Sequence, residues 1–264
     1  MKIKEVLSAL EQFAPLPLQE SWDNAGLQIG LTEAEVSGAL LCLDVTEKVI
    51  DEADKKGCNL VVSHHPLLFR GLKQISDVND VQRTTWKAIQ KGICVISMHT
   101  NLDNARGGVN FKIAERLGLK NVRFGGAKND AEGQEAQSGS WVVGELPEAM
   151  AADDFVLHVK QRMEAESAMC NELLRRPVKT VAICGGAGDF LLDDAIKGGA
   201  DAFLTGEMHY HVYFGHEQQI QICVIGHYES EHFTKELLRD VIQQSCPDVR
   251  TVIAETNTNP IIYF

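Results

Sequence analysis

The segment Val61-Val62-Ser63-His64-His65-Pro66 joins an apolar, strand-like run to a proline that ends it, with two adjacent histidines at the junction. Because successive side chains of a strand point to opposite faces, His64 and His65 are not expected to hold one small ion in the same way. Each could instead hold one of two ions. A turn that carries two solvated histidines is the alternative reading of this fragment.

Strand-like and helix-like segments alternate on both sides of this stretch. Predicted strands lie at 39–43, 60–63 and 93–97, predicted helices at 46–56, 81–90 and 111–117, and a predicted loop at 21–30. The alternation predicts βαβ units and an α/β fold with largely parallel or mixed sheets flanked by helices. Such sheets bind ligands beyond the carboxyl ends of their strands, which is where the sequence places His64, His65, His99 and Asp103.

The second half of the chain repeats this order of elements. Residues 39–63 align without gaps onto 181–205, and Ile93-Cys94-Val95-Ile96 recurs as Ile222-Cys223-Val224-Ile225. The repeat predicts two related α/β halves facing each other, at 1–124 and 178–264, with a short accessory segment or edge hairpin at 125–177. Independent use of the same βαβ pattern in both halves is the alternative.

The repeat adds a second group of polar residues to the first. Gly206-Glu207 corresponds to His64-His65, and a helix that begins at His227 would put Glu231 on the same face, since the two are four residues apart. Three imidazoles and two carboxylates suit a pair of divalent first-row metal ions, with Glu231 placed to bridge them. These candidate ligands are His64, His65, Asp103, His227 and Glu231. Polar residues scattered over loops are the alternative.

Composition excludes several classes of function. The net charge of −12 argues against a nucleic-acid or anionic-membrane binder, because such proteins need a cationic surface. No apolar run approaches the roughly 18 residues of a membrane span. The seven cysteines include no CxxC pair, and four lie in strand-like runs, which predicts reduced thiols, no cysteine-ligated zinc and a cytoplasmic location.

Five segments of the chain resemble the NIF-three-like family, also called the GTP cyclohydrolase I type 2 family. They are SWDNAGLQ at 21–28, SHHP at 63–66, HTNLD at 99–103 with GGVN at 107–110, LTGE at 204–207, and GHYESE at 226–231. The resemblance implies a two-domain α/β fold, a dinuclear metal centre and a ring-shaped homohexamer. It also implies that His65 and Asp103 bind one ion, His64 and His227 the other, and Glu231 both.

The chain departs from the family pattern at two places. The 125–177 segment is too short for the full domain that some members carry there, which puts any function of that insert in doubt. Glu207 stands where the family often has aspartate, and the longer side chain can alter a contact behind a ligand. His99, Glu207 and His209 are candidates for supporting the ligands or facing a substrate, and solvated loop positions are the alternative for His209, His211 and His216.

Three hypotheses about function remain open at this stage. Zinc, manganese and iron all suit the ligand set, and the leading hypothesis is a hydrolase of cyclic amidine, amide-like or phosphoester bonds, with GTP ring opening as one version. A non-catalytic metal-binding, metal-delivery or oligomeric interaction protein is the second, and di-iron redox chemistry the third. The glycine-rich turn at 184–189 could cradle an anion or serve only as a tight turn.

Overall fold

A computed structural model describes residues 1–126 and 136–264 of the chain. Its strands are β1 (Gly26–Ile29), β2 (Ala39–Cys42), β3 (Leu60–Ser63), β4 (Cys94–Ser97), β5 (Lys120–Phe124), β6 (Val142–Met150), β7 (Met169–Cys170), β8 (Val178–Ala187), β9 (Ala202–Glu207), β10 (Gln221–Val224) and β11 (Thr251–Ile253). Its α-helices are α1 (Ile3–Phe13), α2 (Glu47–Lys55), α3 (Asp80–Gln90), α4 (Thr100–Asp103), α5 (Val109–Arg116), α6 (Ala152–Arg162), α7 (Leu192–Lys197), α8 (His227–Glu231) and α9 (Thr234–Ser245). Among the described residues, none of these helices has the length and apolar character needed to cross a bilayer.

The contacts within the chain divide it into two compact units. The first unit is Met1–Ala105 with His232–Pro260, and the second is Arg106–Glu231 with Ile261–Phe264. Each unit contains one sheet. The contiguous division at 124 and 177 made from the sequence stays a prediction.

The sheet of the first unit has the strand order β1-β4-β3-β2-β11. Four of its strands run parallel, and β1 pairs antiparallel to β4 at the edge. The predicted loop at 21–30 is therefore wrong at its C-terminal end, where Gly26–Ile29 forms β1. Gly26 has a φ of 98°, a conformation that favours glycine. Because glycine is uncommon inside strands, the sequence pattern indicated a loop at this position.

The sheet of the second unit has the order β5-β6-β8-β9-β10-β7. Its central strands β8, β9 and β10 are parallel, whereas β5, β6 and β7 pair antiparallel. The 125–177 segment supplies strand β6, which lies between β5 and β8, and strand β7, which forms the edge beside β10. Its description as a small accessory segment or an edge hairpin stays a prediction. The α/β class with mixed sheets flanked by helices is confirmed.

The repeat seen in the sequence corresponds to equal strand pairing in the two units. Ala39 pairs with Leu60 in parallel, and their counterparts Val181 and Ala202 pair in the same way. The third strand differs, because Leu60 pairs with Cys94 whereas Ala202 pairs with Gln221. The segment Ile222-Cys223-Val224-Ile225 is therefore shifted by two residues along its neighbouring strand, compared with Ile93-Cys94-Val95-Ile96 in the first unit. A shift of two residues keeps each side chain on the same face of the sheet.

Helix α2 shows why the local pattern predicted the elements well. Its N-cap Thr46 accepts a hydrogen bond from the backbone N–H of Val49, and Gly57, with a φ of 65°, follows its C-terminus. Val49, Ile50 and Ala53 form its buried face. They pack in an apolar cluster with strand residues such as Val61 and Val95, and so hold the carboxyl ends of β2, β3 and β4 in place.

The cysteines behave as small core residues. Six of the seven are buried, Cys170 is exposed, and no disulfide joins any of them, all seven being among the described residues. Burial raises the pKa of the Cys94 thiol to about 11, so this thiol stays protonated.

A carboxylate on α2 holds the segment that follows β11. The Oε atoms of Glu52 accept hydrogen bonds from the backbone N–H groups of Glu255 and Thr256 at 2.8 and 2.9 Å, and from the Thr256 hydroxyl at 2.6 Å. The Nζ of Lys56 lies 2.9 Å from the Oε1 of Glu52. Burial opposes ionisation of Glu52, but the hydrogen bonds outweigh it and lower its pKa to about 2.

We expect Glu52→Gln to lower the free energy of unfolding at pH 7 by about 1–2 kcal/mol, because the amide accepts fewer of these hydrogen bonds. Since the pKa in the folded state lies below the usual 4.5, the stabilisation is present above pH 4.5 and is lost as the pH falls towards 2. Urea denaturation at pH 7 and pH 3 measures both effects. Glu255→Gln is the control, since Glu255 contacts the same Lys56 but is exposed, and equal losses in the two variants would contradict the prediction.

Candidate metal centre

His64 and His65 lie directly after β3, between the ends of its two neighbouring strands. Their backbone N–H groups continue the pairing with β2, donating to the carbonyls of Cys42 and Leu43 at 3.3 and 3.0 Å. The Ser63 hydroxyl also donates to the carbonyl of His65 at 2.8 Å. Both imidazoles are therefore positioned by a backbone that is hydrogen-bonded on both sides, and the simple solvated turn does not describe them.

The two adjacent rings turn to opposite neighbours for support. His64 is fully buried and its Nδ1 donates to the carbonyl of Met98, after β4, at 2.7 Å. The Nδ1 of His65 donates to the carboxylate of Asp44, after β2, at 2.7 Å. Because a carbonyl and a carboxylate oxygen only accept, Nε2 is in each neutral ring the nitrogen that carries the lone pair for a metal.

Asp44 is a residue that sequence reasoning missed. Burial disfavours its charged form, but hydrogen bonds from His65 and Thr258 outweigh burial and hold the pKa of this carboxyl below its usual value. A carboxylate behind an imidazole orients the ring and increases its basicity as a ligand. The sequence signal for Asp44 is its position just after β2, the strand that neighbours β3, which His64 and His65 follow.

His99 joins the same cluster with a carboxylate of its own. One ligand atom from each of His64, His65 and His99 lies within 4.8 Å of the others. The Nδ1 of His99 donates to Asp23, whose side chain is fully buried, at 2.7 Å. Burial lowers the pKa of His99, aided by the two neighbouring histidines and opposed by Asp23.

The Asp23 carboxylate is held ionised. Burial raises its pKa, but hydrogen bonds from His99 and Thr100 overcome this and bring it to about 2. The other oxygen of Asp23 accepts from the backbone N–H of Thr100 at 3.0 Å and from its hydroxyl. Asp23 therefore fixes both the ring of His99 and the start of α4.

Asp103 is presented by α4, which is a single turn. The backbone N–H of Asp103 donates to the carbonyl of His99 at 3.1 Å, so the carboxylate is aimed back towards the histidines. Its Oδ1 lies 3.6 Å from the Nε2 of His64. In the first unit the structure thus brings together all three predicted ligands and His99.

The second unit assembles the other two predicted ligands on α8. His227 and Glu231 share one face, as their spacing predicts, and the His227 Nε2 lies 3.2 Å from the Glu231 Oε2. The Nδ1 of His227 lies 3.1 Å from the carboxylate of Glu207 at the end of β9. Glu207 thus stands behind His227 as Asp44 stands behind His65, at the position that the repeat assigns to His65.

The glycine-rich segment at 184–189 covers the end of β8 and the residues after it, and it contacts α8. The backbone N–H groups of Gly185, Gly186 and Gly188 donate to the side chains of Asn110, Ser230 and Thr205 at 2.8, 3.0 and 3.0 Å. The Ser230 hydroxyl in turn donates to the carbonyl of His227 at 2.8 Å. These glycine amides already have protein partners. Gly185 and Gly186 belong to β8, and only Gly188 follows the strand.

His209 lies at a cleft of about 420 Å³ in the second unit. The cleft is lined mainly by apolar side chains, and Glu207, His227, His209 and Asp189 supply its polar wall. The Nδ1 of His209 and a carboxylate oxygen of Asp189 are 2.5 Å apart, and this hydrogen bond raises the pKa of the exposed His209 ring. His211 is also exposed, and His158 contacts the Leu117 carbonyl through Nε2, which indicates a structural role.

The donor set fits divalent first-row metal ions. His64, His65 and His227 each use Nδ1 for a partner behind the ring. The Nε2 atoms of His64 and His227 face the carboxylates of Asp103 and buried Glu231. The backbone of Gly186 also leaves room for Glu231, because a Cβ there would lie 2.6 Å from its Oε1. The three imidazoles of the first unit could therefore bind a metal ion, and His227 and Glu231 supply two further ligand side chains.

Comparisons with known proteins find similar proteins over nearly the whole chain. A family model described as Duf34/NIF3 (NGG1p interacting factor 3) matches residues 1–260, which include every candidate ligand. Proteins named "GTP cyclohydrolase 1 type 2 homolog" are similar: that of Clostridium perfringens is 33% identical over 88% of this chain and 87% of its own, and that of Campylobacter jejuni 32% identical over 100% of both. The crystal structure of a hypothetical protein of Staphylococcus aureus, 29% identical, superposes with a TM-score of 0.90 over 100% of this chain and 99% of that one.

We expect Gly186→Ala to weaken the binding of Zn²⁺ or Mn²⁺ by about tenfold or more, because the new methyl group displaces Glu231. Gly199→Ala is the matched control. Gly186 and Gly199 have φ values of 61° and 77°, so both variants carry the same backbone strain, but nothing lies within 4 Å of a Cβ at Gly199. Competition with a metal indicator measures the affinity, and equal affinities in the two variants would contradict the role given to Gly186.

Proposed function

The chain belongs to the Duf34/NIF3 family, and we propose on this basis that it binds two divalent metal ions and acts as a metal-dependent hydrolase on a small molecule. The observation that carries the proposal is the common arrangement of His64, His65 and His227. Each ring is held through Nδ1 by a carbonyl or a carboxylate and presents Nε2 as a ligand.

We assign the ligands as the family resemblance implies. His65 and Asp103 would bind one ion, His64 and His227 would bind the other, and Glu231 would bind both. In the first unit the Asp103 carboxylate lies 3.6 Å from the Nε2 of His64, and in the second His227 and Glu231 share one face. These groupings support the set of ligands, and the division of that set between the two ions rests on the family resemblance alone. Zinc, manganese and iron all accept this mixture of imidazole and carboxylate ligands.

Two divalent ions held by so few side chains supply Lewis-acid polarisation of a substrate oxygen and lower the pKa of water. The protein's part is to keep the ligands deprotonated and oriented. Asp44, Asp23 and Glu207 do this from behind the rings, because each carboxylate favours the tautomer whose lone pair is on Nε2.

The 420 Å³ cleft beside His227 is proposed to accept part of the substrate, with a proton-transfer pair in its wall. His209 and Asp189 have the geometry of an imidazole backed by a carboxylate, and the exposed ring can exchange a proton with a bound molecule. The substrates that fit the proposed chemistry are cyclic amidines, amide-like rings and phosphoesters. Ring opening of GTP is one version, suggested by the name that the relatives carry.

We further propose a cytoplasmic homohexamer, which rests on the family resemblance and on seven cysteines without a disulfide. The assembly would be ring-shaped.

We expect the protein, purified without oxygen, to carry two divalent ions per chain by elemental analysis, and to hydrolyse GTP or a member of a panel of cyclic amides and phosphoesters only when metal is bound. His64→Ala should reduce both the metal content and the turnover by at least tenfold. His209→Ala should keep the metal content and lower the turnover by about 100-fold.

His158→Gln is the control for the loss of an imidazole, because the Nε2 of His158 contacts a backbone carbonyl. If the metal-loaded protein hydrolyses no compound of the panel, the proposed hydrolase activity is contradicted. Fast, reversible metal exchange that changes in His64→Ala would then favour metal binding or delivery, the second candidate.

Static light scattering tests the assembly. We expect a molar mass about six times the chain mass of 29.1 kDa. A stable monomer at micromolar concentration would overturn the hexamer.

A further inference from the structure

Two large aromatic side chains are exposed next to the histidine cluster of the first unit. Trp22 is 59% exposed and Phe69 is 43% exposed, and their ring centroids are 5.8 Å apart with a 60° angle between the planes. Both rings contact the edge of His99, at centroid distances of 6.3 and 6.2 Å. His99 in turn lies 5.4 and 5.6 Å from the rings of His64 and His65.

The segment that carries Trp22 is held by partly buried hydrogen bonds on both sides of the indole. The next residue, Asp23, binds the His99 ring and the backbone N–H of Thr100. The backbone N–H of Glu20, on the other side, donates to the Thr100 hydroxyl at 2.9 Å. The exposure of the indole is therefore built into the fold and is not the result of a loose loop.

The two segments that carry Trp22 and Phe69 are also joined to each other. The side-chain amide of Asn24 donates to the carbonyl of Leu68 at 2.7 Å, and the backbone N–H of Leu68 donates to the side-chain carbonyl of Gln28 at 3.1 Å. Leu68 directly precedes Phe69. The two aromatic rings are thus pre-organised as one platform, which limits the entropy cost of placing a ligand on it.

We propose that Trp22 and Phe69 form a stacking platform that binds the planar heteroaromatic ring of the substrate beside the metal ligands. This inference rests on the proposed function and adds the chemical class of the molecule. An exposed aromatic face next to a reaction centre offers stacking energy to any flat ring, whatever its hydrogen-bonding edge.

The size of the platform favours a small ring over a protein partner. Two aromatic side chains supply much less than the roughly 800 Å² per partner that a stable protein interface needs. The residues next to Phe69 on its C-terminal side, Arg70 and Gly71, are exposed and not apolar, so the platform does not extend into a larger apolar surface there. One or two aromatic faces suffice to stack one ring.

The test compares the binding of GTP and of inorganic triphosphate to metal-loaded, full-length protein by calorimetry. Trp22→Ala should weaken GTP binding about tenfold and leave triphosphate binding unchanged, because only the ring is lost as a partner. Phe69→Ala should act in the same direction, and Trp22→Phe should keep most of the affinity. Trp86→Ala is the matched control, since Trp86 lies on α3 and is 52% exposed.

A second readout follows Trp22 directly. In a Trp86→Phe background, GTP should quench the indole fluorescence, and the quenching should vanish with Trp22→Phe. Equal loss of GTP and triphosphate binding in Trp22→Ala would overturn the platform, since it would indicate damage to the metal site. Wild-type protein that binds GTP no better than triphosphate would overturn it too.

Turnover measured in the same samples separates this inference from the proposed function. If GTP binding depends on Trp22 and no compound is hydrolysed, the stacking platform is supported and the proposed hydrolase activity is contradicted. If a substrate is hydrolysed but its binding does not depend on Trp22, the hydrolase activity is supported and the stacking platform is contradicted.

Discussion

The structure of the first unit depends on β3 being paired in parallel on both sides. Because β2 and β4 flank it in register, the residues that follow all three strands emerge at one edge of the sheet. The backbone N–H groups of His64 and His65 donate to Cys42, the last residue of β2, and to Leu43 after it, and the N–H of Met98 donates to Ser63 of β3. Two adjacent histidines can thus face different neighbours and still bring their rings to within 4.9 Å of each other.

The partners behind the rings turn this edge into a set of metal ligands. A neutral histidine has two tautomers, and an acceptor at Nδ1 favours the one with the proton on Nδ1 and the lone pair on Nε2. His64 uses a backbone carbonyl for this purpose, whereas His65, His99 and His227 use the carboxylates of Asp44, Asp23 and Glu207. The carboxylates of Asp23 and Asp44 have lowered pKa values despite burial, so they remain charged at neutral pH.

The second unit reaches a similar arrangement with a different side-chain layout. Its strands β8 and β9 pair in the register of β2 and β3, but the position after β9 holds Gly206 and Glu207 in place of two histidines. Its imidazole comes instead from α8, which packs so closely that a Cβ at Gly206 would lie 2.7 Å from the Ser230 hydroxyl. The two units therefore share this strand pairing, and their candidate ligands lie at different positions on it.

The sequence by itself determined the elements and the residue types of the candidate site. The apolar periodicity, the caps of α2 and the four-residue spacing of His227 and Glu231 are local properties, so they are visible without a structure. Only the tertiary structure decided which carboxylate stands behind which ring, since Asp44 and His65 are 21 residues apart and Asp23 and His99 are 76 apart. The same holds for the strand at Gly26–Ile29 and for the contact of Trp22 with Phe69. These contacts arise when distant segments are brought together by strand pairing, and no local pattern encodes the partner.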